Sequence, residues 1–312
     1  MSPAAQRARL KALLGNWSDD RPAPILHPGT QIVGRGYLHE EFHLDLGTGA
    51  RVPASFVRPA GPGRYPAILY CHAHGNRYDI GRRELIEGRA ALLSPPYAEA
   101  LTQAGFAALC LELPCFGERL AETESSLAKA LLWRGETLFG LMLRELAGGV
   151  DHLAARDDVD AARIGGFGIS MGATLAFWLA ALDPRIRAVA HLLCLADLAT
   201  LIAGGGHDLH GIYMTVPGLT REFRTGEIAG LVAPRPQFAA VGTTDPLTPP
   251  AAIAIVQRDV ERCYSVGSAP DRWRIQVSDG TGHVETPAMR EAVLAFLGAE
   301  FHVPGQPSRV CL

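Results

Sequence analysis

Arg163–Leu182, RIGGFGISMGATLAFWLAAL, turns from a short apolar run through Gly168-Ile169-Ser170-Met171-Gly172 into an Ala- and Leu-rich stretch that stops near Asp183-Pro184. A serine spaced G-x-S-x-G between glycines suits a strand-to-helix turn too tight for side chains at the flanking positions. Such a turn lifts the hydroxyl above the end of the strand, at the N-terminus of the following helix. There, unpaired N–H groups and the helix dipole favour developing negative charge. A Gly-rich βα turn with an incidental serine has the same pattern. The reading therefore depends on whether the rest of the chain supplies a base, an acid and a second N–H donor.

Outward from that turn, strand and helix signals alternate. Pro66–Cys71 (PAILYC) and Phe106–Leu113 (FAALCLEL) are continuous apolar runs of the kind expected for strands covered on both faces. Ile186–Cys194, Gln237–Val241 and Trp273–Val277 read the same way. Between them lie helix signals: Ser94-Pro95-Pro96 as a helix start, a long segment broken near Gly135, Thr248-Pro249 and Thr286-Pro287 as caps. Residues 40–46 and 52–57 alternate apolar and polar around Gly47-Thr48-Gly49, which predicts an antiparallel hairpin. This pattern predicts a single mainly parallel sheet with helices on both faces and an antiparallel start. The expected organisation is an N-terminal arm (1–36), one domain (37–303) with a cap-like insertion at about 197–230, and a C-terminal tail (304–312).

Composition narrows the function classes. The chain has 312 residues, 48% of them hydrophobic and 20% charged, enough for a sizeable core. A net charge of −3 gives no electrostatic case for nucleic acid or for an anionic membrane. No run approaches the apolar length of a spanning helix, and the first residues lack the apolar core of a secretory signal. The six cysteines (Cys71, Cys110, Cys115, Cys194, Cys263, Cys311) form no C-x-x-C pair, which points to buried free thiols and a cytoplasmic setting.

A serine nucleophile needs a base, because a free hydroxyl is almost wholly protonated near neutral pH, and imidazole is the usual one. Among eleven histidines, His283 stands out. It ends Asp279-Gly280-Thr281-Gly282-His283, a Gly-rich loop between the last strand and the last helix, at the same sheet edge as Ser170. Asp245, in Val241-Gly242-Thr243-Thr244-Asp245-Pro246, ends the preceding strand at that edge and is the expected acid. Asp279 is expected to serve only its turn with Gly280.

The order Ser170, Asp245, His283 resembles that of the α/β hydrolases. The chain is similar to their dienelactone hydrolase and acetyl xylan esterase group through D-x-x-R-I-G-x-x-G-I-S-M-G-A (160–173), A-P-R-P (233–236), the G-x-x-D step to Asp245 and G-x-G-H to His283. The resemblance covers about residues 40–301 and implies an eight-stranded sheet with the three residues on separate loops. Met171, next after the serine, is expected to give one oxyanion N–H. The resemblance implies that the other comes from the residue two past a histidine at the end of the PAILYC strand, which gives the His74 amide counting from His72, and Asn76 if the count starts from His74. Asn76, His210, Tyr213 and Met214 are candidate substrate contacts.

Several further residues have quieter readings. His72 and His74 at i, i+2 resemble metal ligands, but no carboxylate or cysteine stands at a suitable spacing, and no metal or other cofactor is expected. Glu112 reads as a structural ion pair or as a carboxylate held by loop donors near the site. His207 and Asp208 read as a solvated loop; Trp133, Phe177 and Trp178 read as core. Functionally these residues describe an esterase for small-to-medium acyl esters, acting alone or as a homo-oligomer. A peptidase similar to the prolyl oligopeptidases, or a non-catalytic small-molecule binder on the same fold, are the alternatives.

Overall fold

The computed structural model describes residues 2–34 and 36–303; Cys311 and the tail 304–312 lie outside the described residues. Among the described residues, nine strands form a single sheet. In chain order they are β1 Ile25–Gly34, β2 Tyr37–Asp45, β3 Arg51–Pro59, β4 Tyr65–Cys71, β5 Ala107–Leu111, β6 Val159–Ile169, β7 Ile186–Leu192, β8 Gln237–Gly242 and β9 Trp273–Ser278. Their spatial order is β1-β2-β3-β5-β4-β6-β7-β8-β9. The pairings from β1 to β5 are antiparallel; those from β5 through β4 to β9 are parallel.

The ninth strand is one more than expected. Ile25–Gly34, read from sequence as part of an arm, pairs along β2, with a register shift between His27 and Thr30. Pro28-Gly29 falls at that shift, and this break in the pattern is what hid the strand. Pro3–Leu14 is the helix before it, seating Leu10 and Leu14 in the core.

Alternation along β4 shows why its sequence is apolar throughout. Ala67, Leu69 and Cys71 enter the core layer beneath helices Leu138–Ala155 and Met171–Leu182. Ile68 and Tyr70 enter the opposite layer, covered by helices Tyr97–Gln103 and Pro287–Phe301. A strand buried on both faces needs apolar residues at every position. The helix Tyr97–Gln103 starts after Pro96 rather than at the expected Ser94 cap. Phe177 and Trp178 are buried, as expected of core residues, but Trp133 is 91% exposed. It is the last residue of helix Glu124–Trp133, which buries Glu124, Ala128 and Leu131, and it lies on the face opposite to these.

Because β4, β6, β7, β8 and β9 run parallel, the loops after them emerge along one edge. Residues 72–76, Ser170, Asp245 and His283 all lie on those loops. Among the described residues no helix is long and apolar enough to cross a membrane, and no group of three His, Cys, Asp or Glu side chains is arranged to hold a metal. Cys71, Cys110, Cys115, Cys194 and Cys263 are free thiols.

Candidate active site

Ser170 joins β6 to helix Met171–Leu182 with φ 58° and ψ −121°. This is a strained conformation for a residue with a Cβ. Two glycines make the turn possible. A Cβ on Gly172 would lie 1.8 Å from the Cys71 carbonyl oxygen, and one on Gly168 would lie 2.3 Å from the Gly172 backbone. The Ser170 N–H donates to Leu192 O at 2.9 Å, which ties the elbow to the end of β7.

His283 Nε2 lies 3.0 Å from Ser170 Oγ, and His283 Nδ1 lies 2.7 Å from Asp245 Oδ2. An ionised carboxylate can only accept, so the ring carries its proton on Nδ1 and turns a bare Nε2 to the hydroxyl. The Asp245 side chain is fully buried, and its other oxygen accepts the Leu247 N–H at 2.9 Å. Asp279 is exposed and accepts from Thr243 Oγ1, whose oxygen accepts the Gly280 N–H. It is part of the turn and makes no bond to His283.

The loop after β4 faces this relay and is held from several sides. Glu84, fully buried, accepts the Ala73 N–H on both oxygens at 3.1 Å, and Arg89 donates to the Ala73 carbonyl at 2.9 Å. Burial raises the Glu84 pKa against the pull of Arg89, with which it forms a close ion pair. The Asn76 N–H donates to His74 Nδ1 at 3.1 Å. Of the two amides that sequence left open, Asn76's is therefore engaged, while His74's has no hydrogen-bond partner among the described residues. The Met171 N–H, first in its helix, likewise has no intrahelical acceptor. The Asn76 side chain is exposed.

Neither His72 nor His74 offers a free ring nitrogen to a metal. His72 Nδ1 meets Ala73 O at 3.1 Å and Nε2 accepts the Leu113 N–H at 3.2 Å. Burial holds its pKa down at about 3. Both nitrogens of His74 are also taken, by Asn76 and Glu124. Glu112 accepts the Arg82 N–H at 2.8 Å and the Glu118 N–H at 3.4 Å, and so joins two loops.

Residues 197–230 fold over the same edge as short helices and turns, among them Gly206–Leu209 and Ile212–Met214. His207, Asp208 and Leu209 point to solvent. His210 Nε2 meets Leu247 O at 3.2 Å; burial lowers its pKa and the neighbouring His283 adds to the effect. Tyr213 is buried, its ring stacked on that of His74 with centroids 5.6 Å apart. His210 and Met214, with Phe139, Thr174, Phe177, Trp178, Cys194 and Leu201, line a largely apolar cavity of about 40 Å³. Thr174, in the wall of this cavity, lies one helical turn from Ser170, and its Oγ1 donates to Ser170 O at 3.4 Å.

Glu84, Arg89 and Glu124 are residues that sequence reasoning missed. Their partners lie 11, 16 and 50 residues away, and no motif announces them.

No protein-family model matches the chain. A Bacillus subtilis (strain 168) protein named "Putative hydrolase YtaP" is 36% identical over 296 residues, covering 94% of this chain and 98% of its own. Among solved structures, a glucuronoyl esterase from Solibacter usitatus superposes with a TM-score of 0.70 at 16% identity, covering 96% of this chain and 92% of that one. Acetyl xylan esterase 1 from Thermoanaerobacterium sp. JW/SL YS485 gives 0.65 at 17% identity, covering 96% and 93%. At such identities the two structures share the fold.

Proposed function

We propose that the chain, which belongs to the same family as the Bacillus subtilis putative hydrolase and shares the α/β-hydrolase fold of the esterase structures, is a serine carboxylesterase for esters of short acyl groups. The observation that carries this reading is the unbroken relay from Ser170 Oγ through His283 to the buried Asp245, at 3.0 and 2.7 Å. A hydroxyl within hydrogen-bond reach of an imidazole that is itself oriented by a carboxylate is the arrangement nucleophilic catalysis requires.

Ser170 Oγ adds to the ester carbonyl carbon while its proton passes to His283 Nε2. The carbonyl π pair moves onto oxygen, and the resulting oxyanion is met by the Met171 and His74 amides. Asp245 holds the imidazole and stabilises its cation. As the C–O bond to the alcohol breaks, His283 returns the proton to the leaving oxygen, which leaves an acyl-Ser170 ester. Water, deprotonated by His283, then repeats the sequence and releases the acid. Each oxyanion donor contributes roughly 3–4 kcal/mol to such a step.

The acyl group points into the cavity lined by Phe177, Trp178, Cys194, Leu201 and Met214. Its mostly apolar walls suit a hydrocarbon chain, and its volume suits a short one. The test is turnover of p-nitrophenyl acetate by the wild-type chain and by Ser170→Ala, with mass-spectrometric mapping of an organophosphonate label. Loss of at least a thousandfold in the variant, with labelling confined to Ser170, is the expected result. Labelling at another serine, or a variant within tenfold of wild type, overturns the assignment.

A further inference from the structure

We infer that Glu124 is a positioning residue for the oxyanion amide, and that it couples the insertion over the site to the loop carrying His74. The inference rests on the serine esterase reading and adds a residue outside the triad to it.

Glu124 is the first residue of helix Glu124–Trp133, and its side chain is only 4% exposed. Three donors from two parts of the chain, the loop after β4 and the insertion, converge on its carboxylate. His74 Nε2 lies 2.6 Å from Oε2, and Tyr78 donates its hydroxyl to the same oxygen at 3.0 Å. The Tyr213 N–H, from the insertion, donates to Oε1 at 2.9 Å. The proton positions follow from the partners. A backbone amide can only donate, so Asn76 fixes His74 Nδ1 as an acceptor and places the ring proton on Nε2, facing Glu124.

The His74 ring is also enclosed by aromatic contacts. Tyr213 stacks on it, while Tyr78 and Phe116 meet it edge-on with centroids 4.9 and 5.3 Å away. A ring held at both nitrogens and on its faces fixes its own Cα, and with it the direction of the residue's amide. That amide is the one left unengaged and assigned to the oxyanion. A catalytic amide displaced by about 1 Å costs on the order of a hundredfold in rate. The arrangement needs an acceptor-only group. In Glu124→Gln, whichever way the amide is turned, its NH2 faces either the His74 Nε2–H or the Tyr213 N–H. One donor-against-donor contact is then unavoidable, at almost unchanged volume.

The experiment compares wild type, Glu124→Gln and Tyr78→Phe for kcat and KM on p-nitrophenyl acetate and for Ki of a trifluoromethyl ketone. The ketone adds reversibly to the serine and places an oxyanion on the two amides, so its affinity reports their alignment. For Glu124→Gln, kcat is expected to fall about ten- to a hundredfold with KM within about threefold. The ketone Ki should rise by the factor by which kcat/KM falls. Tyr78→Phe removes one donor without stranding another and should move kcat and Ki together, less than tenfold. Should Glu124→Gln fail to fold by circular dichroism, Tyr78→Phe carries the test alone. A higher KM at unchanged kcat, or a Ki that does not move with kcat/KM, assigns Glu124 a merely structural role and overturns the inference. Wild-type protein with neither ester turnover nor a labelled Ser170 overturns the esterase reading instead, so the two failures are distinguishable.

Discussion

Acyl chain length is where the structure makes its most quantitative demand on the proposed activity. The cavity beside Ser170 has about 40 Å³ available, and one water-sized position takes roughly 10–15 Å³. About three carbon-sized groups therefore fit beyond the carbonyl carbon. Each methylene moved from water into the cavity contributes about 0.8 kcal/mol, or roughly fourfold in kcat/KM. From acetate to butyrate, two methylenes are added, and kcat/KM should rise about fifteenfold on that arithmetic. The next carbons meet Phe177 and Trp178, buried rings packed into the helix Met171–Leu182. Moving such rings costs about 1–3 kcal/mol, more than a further methylene returns.

The optimum is therefore expected at propionyl to butyryl, falling steeply beyond hexanoyl. Met214→Ala removes three heavy atoms from the wall and should move the optimum about two carbons longer while leaving acetate turnover within a few-fold. The assay is kcat/KM across p-nitrophenyl esters from acetate to palmitate, for both proteins. A wild-type optimum at octanoate or longer would refute the assignment of this cavity to the acyl chain. An unchanged profile in the variant would refute it equally.

Two further expectations concern the acid of the relay and the buried imidazoles. Asp245→Asn should lower kcat by about 10⁴ by presenting an amide where the imidazole needs a carboxylate, whereas Asp279→Asn, in the exposed turn, should stay within threefold; the reverse order in steady-state assays would mean that the wrong loop aspartate was assigned. His72 and His191 are held by burial at a pKa of about 3 and His152 at about 4, all below the ordinary 6.5. Because the unfolded chain binds these protons first, their contribution to stability is fully present above pH ~6.5 and is lost as pH falls from there towards the folded values. At pH 5 each costs about 2 kcal/mol. In urea unfolding at pH 7.5 and pH 5.0, His191→Phe should therefore lose about 2 kcal/mol less stability over that interval than wild type. Equal losses would show that His191 takes up its proton in the folded protein.

The parts of this architecture that were legible from sequence are those enforced by local backbone geometry. Ser170, Asp245 and His283 each follow a strand end and a glycine-bearing turn, and a parallel sheet sends those ends to one edge. The hairpin between β2 and β3 was legible from alternation and its Gly-Thr-Gly turn. β1 was not, because Pro28-Gly29 breaks the alternation where the pairing with β2 shifts register. Trp133 was misread as core because its size suggested burial, whereas the buried stripe of its helix, Glu124, Ala128 and Leu131, runs along the other face. Glu84, Arg89 and Glu124 had no local signature. A buried carboxylate is placed by the donors that converge on it, and here these come from distant parts of the chain.

That division has a physical reason. The strained backbone at Ser170 costs on the order of 1–3 kcal/mol and is possible only where glycines let strands β4 and β6 approach the helix within van der Waals distance. The strain and its relief are therefore written side by side, within five residues. The amide of His74 is under no such local constraint. Its direction is set by Glu84 and Arg89 gripping Ala73 and by Glu124, Tyr78 and Tyr213 enclosing the ring. Ser170 is thus fixed by the covalent chain, and the His74 amide by side chains recruited from elsewhere. A substitution far from the elbow in sequence, such as Glu124→Gln, can then lower kcat without touching any residue of the relay.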